Sequence, residues 1–81
     1  FEAGLNVEAV TPENIQAWIL AGLPEADVRV EGDGHHFEAY VASSAFKGKS
    51  LIEQHRQVYA CLGDHMKERV HALSLKTHVK Q

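Results

Sequence analysis

The chain has 81 residues, which is enough for one small domain and too few for two. Hydrophobic residues make up 44% and charged residues 23%, shares that are typical of a globular chain and too apolar for a disordered one. No apolar run approaches the ~20 residues of a transmembrane helix, so no membrane association is expected. The net charge of −3 and pI near 6.0 disfavour a domain built mainly for nucleic acid, which is usually basic.

The distribution of charge along the chain and the numbers of cysteine and histidine residues are informative. Residues 1–46 hold one basic residue against eight acidic ones, whereas residues 47–81 hold seven basic against three acidic, so a basic face is expected in the second half. Cys61 is the single cysteine, which excludes an internal disulfide and a thiolate zinc site and favours a reducing, cytoplasmic setting. Six histidines are a high number for this length and suggest metal or proton chemistry.

The first predicted element is a helix that begins at Pro12. Thr11 offers an N-cap hydroxyl, and proline suits the first helical position. Gly22 and Pro24 end the helix. Trp18 lies on its apolar side and is expected to pack in the core rather than to stack on a ligand. The apolar residues at helical spacing are Ile15, Trp18, Ile19 and Leu23.

A hairpin is predicted near residues 27–42. Val28 and Val30 alternate with charged residues, as in a half-buried strand. The run Gly32-Asp33-Gly34 is typical of a tight turn. A second alternating strand follows, with Phe37, Ala39 and Val41 facing the core.

A second helix near residues 51–66 and a third strand near 70–77 complete the chain. Ser50 and Glu53 have the spacing of a capping box, and Gly63 is expected to loosen the end of the helix. Cys61 lies off the apolar stripe, without an acid or base beside it in sequence, and is interpreted as inert packing. The predicted inner stripe consists of Leu51, His55, Val58, Leu62 and Met66.

His71 stands at the start of the third strand. By alternation it shares the inward face of Leu73 and Leu75. The pattern alone leaves two alternatives open: a core histidine with its hydrogen bonds satisfied, or a partly exposed ligand at the end of the sheet.

The predicted order is α-β-β-α-β, with residues 1–10 as a loose leader and 11–81 as one domain. The connection between the second and third strands passes through a helix, which permits parallel pairing. The expected class is therefore α+β, with a three-stranded mixed sheet and both helices on one face.

Four motifs in this order resemble the BolA family. They are Gly32-Asp33-Gly34-His35-His36-Phe37, Phe46-Lys47-Gly48-Lys49, Gln54-His55-Arg56-Gln57-Val58-Tyr59 and Val70-His71-Ala72-Leu73. The resemblance runs from about residue 12 to residue 77 and is strongest to the short-loop bacterial branch, the IbaG-like (YrbA) proteins. It implies an αββαβ fold similar to a type II KH domain.

The resemblance also implies a partner and a cofactor. BolA-like proteins pair with monothiol glutaredoxins and share a [2Fe-2S] cluster with them. His71 matches the histidine that ligates iron in that arrangement. The second ligand comes from the loop between the first two strands, where His35 is favoured and His36 is the next candidate. Asp33 occupies the place where some relatives carry cysteine.

Cluster chemistry agrees with such a shared site. An imidazole in place of a thiolate makes a [2Fe-2S] cluster less negative and raises its potential, and protonation of the imidazole prevents ligation. With one cysteine, the chain cannot hold a cluster alone, so the partner must supply thiolates and no cofactor is expected in the isolated chain.

Three functional hypotheses follow. The first is a non-enzymatic iron–sulfur adaptor, expected to be a monomer or weak homodimer by itself. The second is a nucleic-acid-binding transcription or stress regulator. KH domains grip nucleic acid with a GXXG loop, which this chain lacks, but Lys47, Lys49 and Arg56 remain candidate phosphate contacts. The third, an enzyme using the adjacent histidines as acid and base, lacks a nucleophile and leaves little room for a substrate cleft.

Overall fold

The computed structural model describes residues 10–66 and 72–80 as a mixed sheet with helices on one side. This arrangement confirms the predicted α+β class and the order α-β-β-α-β. Two 3₁₀ turns, Ser44–Phe46 and Gly63–Met66, flank the second helix. The elements are α1 (Pro12–Gly22), β1 (Asp27–Gly32), β2 (Phe37–Ser43), α2 (Leu51–Leu62) and β3 (Leu73–Val79).

Both helices begin at a capping box. In α1 the Thr11 hydroxyl accepts the Asn14 N–H at 3.1 Å, and the Thr11 N–H donates to the Asn14 side chain at 3.2 Å. In α2 the same exchange links Ser50 and Glu53. The predicted start of each helix is thus confirmed. The capping side chains stabilise it by satisfying N–H groups that lack a partner within the helix.

The strand order is β1-β2-β3, with β2 in the centre. β1 runs antiparallel to β2, and Gly32 pairs with Phe37 at the turn end of the hairpin. β3 runs parallel to β2, and its first residue, Leu73, also pairs with Phe37. The expected mixed sheet is thus confirmed.

The core fills the space between the sheet and the helices. Alternate residues of β2 point into it, and residues of both helices contribute to the same cluster, so the helices cover one face and leave the other exposed. The buried apolar side chains are Ile15, Ile19, Leu23, Ala26, Phe37, Ala39, Val41, Phe46, Val58, Leu62, Met66 and Leu73.

The two helices approach each other closely where Gly22 lies against Cys61. A methyl group at Gly22 would overlap the Cys61 sulfur. Farther along the same pair of helices, Trp18 packs against the core and stacks on His65, with ring centroids 4.2 Å apart and an interplanar angle of 5°. Trp18 therefore serves intramolecular packing, as predicted.

The predicted inner stripe of α2 was wrong at its first residue. Leu51 is 60% exposed, and the inward position belongs to Gln54. The Gln54 amide donates to the Lys49 carbonyl at 3.0 Å and accepts from the Thr77 hydroxyl at 2.6 Å. Residues 54, 58 and 62 follow one another at four-residue spacing and form the buried row of α2, whereas Leu51, the first residue of the helix, is exposed.

Two boundaries also differ from the prediction. α2 ends at Leu62 rather than at residue 66, because Gly63 adopts a positive φ of 54° and the chain continues as a 3₁₀ turn. Met66 is nevertheless buried, as predicted. β3 spans Leu73–Val79 rather than 70–77, and the first two residues predicted for it lie outside the described residues.

Near the beginning of the chain, Val10 packs against the core, and the rest of the predicted leader lies outside the described residues. None of the helices in the described part of the chain has the length and apolar character needed to span a bilayer.

Candidate functional site

The β1–β2 turn is held by the carboxylate of Asp33. Its Oδ1 accepts the backbone N–H of His35 at 2.8 Å and that of His36 at 2.9 Å. The Asp33 N–H donates to the His36 carbonyl at 3.2 Å and closes the turn. The N–H groups of His36 and then His35 hold the pKa of Asp33 below its usual value, so the carboxylate stays ionised at neutral pH.

Gly32 joins this turn to the core. A β-carbon at Gly32 would lie 2.5 Å from Phe37 Cδ1 and 2.6 Å from the His36 carbonyl oxygen. Only glycine allows the backbone to approach this closely. Since Phe37 is 1% exposed, the turn that carries the two histidines packs against a buried side chain.

His35 and His36 are both exposed, but their surroundings differ. His36 lines a shallow depression of about 280 Å³ together with Glu31, Gly32, Asp33 and Glu38. His35 follows Gly34, whose φ is 96°, at the tip of the turn. His36 thus lies among carboxylates beside the exposed face of the sheet, whereas His35 is exposed and does not line this depression.

Strand register brings a second segment to this end of the sheet. Because Phe37 pairs with Leu73 in parallel register, the start of β3 lies beside the start of β2, next to the turn. Ala72, which precedes β3, is half-buried there. His71, the principal ligand predicted from the sequence, lies outside the described residues.

The described residues do not form a complete metal site by themselves. Within 10–66 and 72–80, no group of three or more histidine, cysteine or acidic side chains could hold a metal ion. Two adjacent histidines supply at most part of a cluster's ligand set. A metal or cluster held at this turn would therefore need further ligands from outside the described residues.

Cys61 is half-buried in the contact between α1 and α2. Burial raises the pKa of its thiol, which disfavours the thiolate that binds metal. The geometry agrees with the packing role expected from the sequence.

Lys47, Lys49 and Arg56 are exposed around the start of α2. The Ser50 backbone N–H is the main cause that lowers the pKa of Glu53, and the charges of Lys49 and Arg56 lower it further. These two cations thus lie near one carboxylate, which offsets part of their charge. Lys47 is placed by the preceding 3₁₀ turn, where its N–H donates to the Ser44 carbonyl at 3.3 Å.

Sequence reasoning did not assign the roles of Gly32 and Asp33 in holding the turn. The Asp-Gly pair did predict a turn, and an aspartate at that position commonly accepts backbone N–H groups two and three residues later. No comparable local sequence pattern predicts the contact between Gly32 and Phe37.

Comparison with known proteins agrees with this architecture of a small α+β domain with one parallel and one antiparallel pair of strands. The BolA-like protein family matches residues 21–81. The chain belongs to that family.

Three relatives illustrate the similarity. Protein BOLA2 of Arabidopsis thaliana is 42% identical over 71 residues, covering 83% of this chain and 75% of that protein. The acid stress protein IbaG of Escherichia coli is 32% identical over 65 residues, covering 79% and 77%. The solved structure of a bolA homologue from Coxiella burnetii has a TM-score of 0.76 and 51% identity, covering 86% and 91%. The IbaG match supports the expected branch, although the plant protein is more similar.

Proposed function

We propose that this chain is a non-enzymatic adaptor that pairs with a monothiol glutaredoxin to hold or transfer a [2Fe-2S] cluster. The chain contributes His71 and one histidine of the β1–β2 turn, and the partner contributes thiolates. The observation that carries the proposal is the parallel pairing of Phe37 with Leu73, which brings the turn and the start of β3 to one end of the sheet. In sequence, His36 precedes Phe37 directly and His71 lies two positions before Leu73.

The turn is suited to present a ligand. Its two histidines are exposed, while its backbone is fixed by three hydrogen bonds to Asp33 and by the contact of Gly32 with Phe37. A fixed backbone lowers the entropy cost of placing an imidazole on iron. His35 is favoured as the second ligand because it stands at the tip, whereas His36 lines the depression beside Glu31 and Glu38.

The test is the visible circular dichroism spectrum of the complex reconstituted with a monothiol glutaredoxin. His71→Ala is expected to change the spectrum or abolish the complex while leaving the fold intact. His78→Ala is the matched control, because His78 is exposed and pairs with Ala42 toward the opposite end of the sheet. An unchanged spectrum and complex in the His71 variant would show the proposal to be wrong.

The same measurement distinguishes which of the two turn histidines is a ligand. We expect His35→Ala to alter the spectrum and His36→Ala to leave it close to that of the unmodified chain. The reverse result would make His36 the ligand. Because a protonated imidazole cannot ligate iron, the spectrum of the unmodified complex is also expected to be lost reversibly on mild acidification.

A second candidate function is nucleic-acid binding through Lys47, Lys49 and Arg56, which are all exposed near the start of α2. Binding to duplex DNA would then weaken as salt rises, with a log–log slope that falls by about 0.9 for each phosphate contact removed. Lys47→Gln and Arg56→Gln should each reduce that slope. Equal slopes for the variants and the unmodified chain would exclude this candidate.

A further inference from the structure

The start of α2 carries an unusual pair of exposed aliphatic side chains. Leu51 is 60% exposed and Ile52 is 65% exposed, the highest values among the large hydrophobic residues that the structure describes as exposed. Large aliphatic side chains that point into water carry a free-energy cost that burial in a complex would remove. The sequence placed Leu51 in the core, and its exposure is therefore a finding of the structure.

Cations border this pair. Arg56 lies one helical turn after Ile52, on the same side of α2. Lys49 lies just before the helix, and both cations are near enough to Glu53 to lower its pKa, after the larger effect of Ser50. We call the surface formed by Lys47, Lys49, Leu51, Ile52 and Arg56 the α2 entry patch.

Glu53 is the one carboxylate in the sequence between residues 47 and 57, and it is already used within the helix cap. Its Oε1 accepts the Ser50 N–H at 2.8 Å, and its own N–H donates to the Ser50 hydroxyl at 3.2 Å. The three cations of the α2 entry patch thus outnumber its acidic groups. Charge complementarity favours an acidic partner.

We infer that the α2 entry patch docks an acidic, apolar-containing segment of a partner protein. Leu51 and Ile52 would become buried against aliphatic or aromatic side chains of the partner, while the cations would pair with its carboxylates. Nucleic acid fits the patch less well, because single strands stack on aromatic side chains and no phenylalanine, tyrosine or tryptophan lies between residues 47 and 57. Phosphate groups make no use of exposed aliphatic side chains.

The probe is a short fluorescent peptide with glutamate and leucine at helical spacing, added to the cluster-free chain. Ile52→Ser and Leu51→Ser are each expected to lower its affinity about tenfold, the loss expected when an aliphatic side chain is no longer buried on binding. A peptide with serine in place of every leucine keeps the charge and is expected to bind more weakly by at least about tenfold, since it loses more than one buried side chain. Amide shifts in NMR spectra should map to residues 47–56.

Val79→Ser is the matched control, because Val79 is an exposed aliphatic residue at the end of β3. It is expected to leave the affinity unchanged, and thermal unfolding should show that each variant stays folded. Equal affinity of the Ile52 and Leu51 variants, equal binding of the serine peptide, or tighter binding of duplex DNA than of the leucine peptide would overturn the inference. The measurement needs no cluster, so its failure is distinguishable from failure of the proposed adaptor function.

Discussion

Gln54 accepts a 2.6 Å hydrogen bond from the hydroxyl of Thr77, which ties α2 to β3 inside the protein. Both side chains are buried, and the other end of the Gln54 amide donates to the Lys49 carbonyl. A polar pair in this position is stable because both groups find partners away from water.

Gln54→Ala should therefore destabilise the domain by about 1–3 kcal/mol, because it leaves the Thr77 hydroxyl and the Lys49 carbonyl without their partner. Urea unfolding measures this change. Gln57→Leu is a suitable comparison, because the Gln57 Oε1 atom is buried without a hydrogen-bond partner among the described residues. That substitution should cost little or stabilise the domain. A larger loss for Gln57→Leu than for Gln54→Ala would contradict this account.

We expect the Asp33 carboxylate to hold the backbone of His35 and His36 in position. Asp33→Ala removes the acceptor of the His35 and His36 N–H groups and should speed hydrogen exchange at both amides in the cluster-free chain. Asp33→Asn keeps an oxygen acceptor and should largely preserve their protection. Unchanged exchange in the alanine variant would show that the turn does not depend on this side chain.

Gly22 and Cys61 should behave as a coupled pair. Gly22→Ala places a methyl group against the Cys61 sulfur and is expected to cost about 1–3 kcal/mol through overpacking. Cys61→Ala removes the sulfur, so the double variant should lose less stability than the two single variants together. A double-mutant cycle in urea measures the coupling, and strict additivity would exclude the close contact.

Glu25 links the segment before β1 to the turn after β2, and we expect this contact to weaken in acid. Its carboxylate accepts the Ser43 hydroxyl at 2.6 Å and the Ser44 N–H and hydroxyl at 2.9 Å each, and these bonds, led by that of Ser43, lower its pKa. A lowered pKa stabilises the fold at pH values above the ordinary value of 4.5, and this contribution is lost as the pH falls through the lower folded value.

Glu25→Gln should accordingly be less stable than the unmodified chain at about pH 6, with the difference shrinking by about pH 3. Urea midpoints across this range test the expectation. Ser43→Ala removes the hydroxyl with the largest effect on Glu25 and should likewise lose more stability at about pH 6 than at about pH 3. A difference that grows on acidification would contradict the assigned sign.

Local patterns in the sequence determined much of the fold. Thr11 and Ser50 marked both helix starts, because the partners of a capping box lie within four consecutive residues. The alternation around Phe37 predicted which side of β2 is buried, because strand side chains alternate between faces. The turn that carries His35 and His36 was predicted for the same reason, since Asp33-Gly34 is a local turn pattern.

Tertiary structure alone decided the features that join residues distant in sequence. Leu51 follows the apolar spacing of α2 and is nevertheless exposed, whereas Gln54 is buried and accepts a hydrogen bond from Thr77, which lies 23 positions away in the sequence. The close contact between Gly32 and Phe37 depends on the hairpin register, which pairs these two residues, rather than on composition. Local propensity acts over a few residues, whereas the orientation of a helix on a sheet depends on which contacts together bury the most apolar surface and leave the fewest polar groups unpaired.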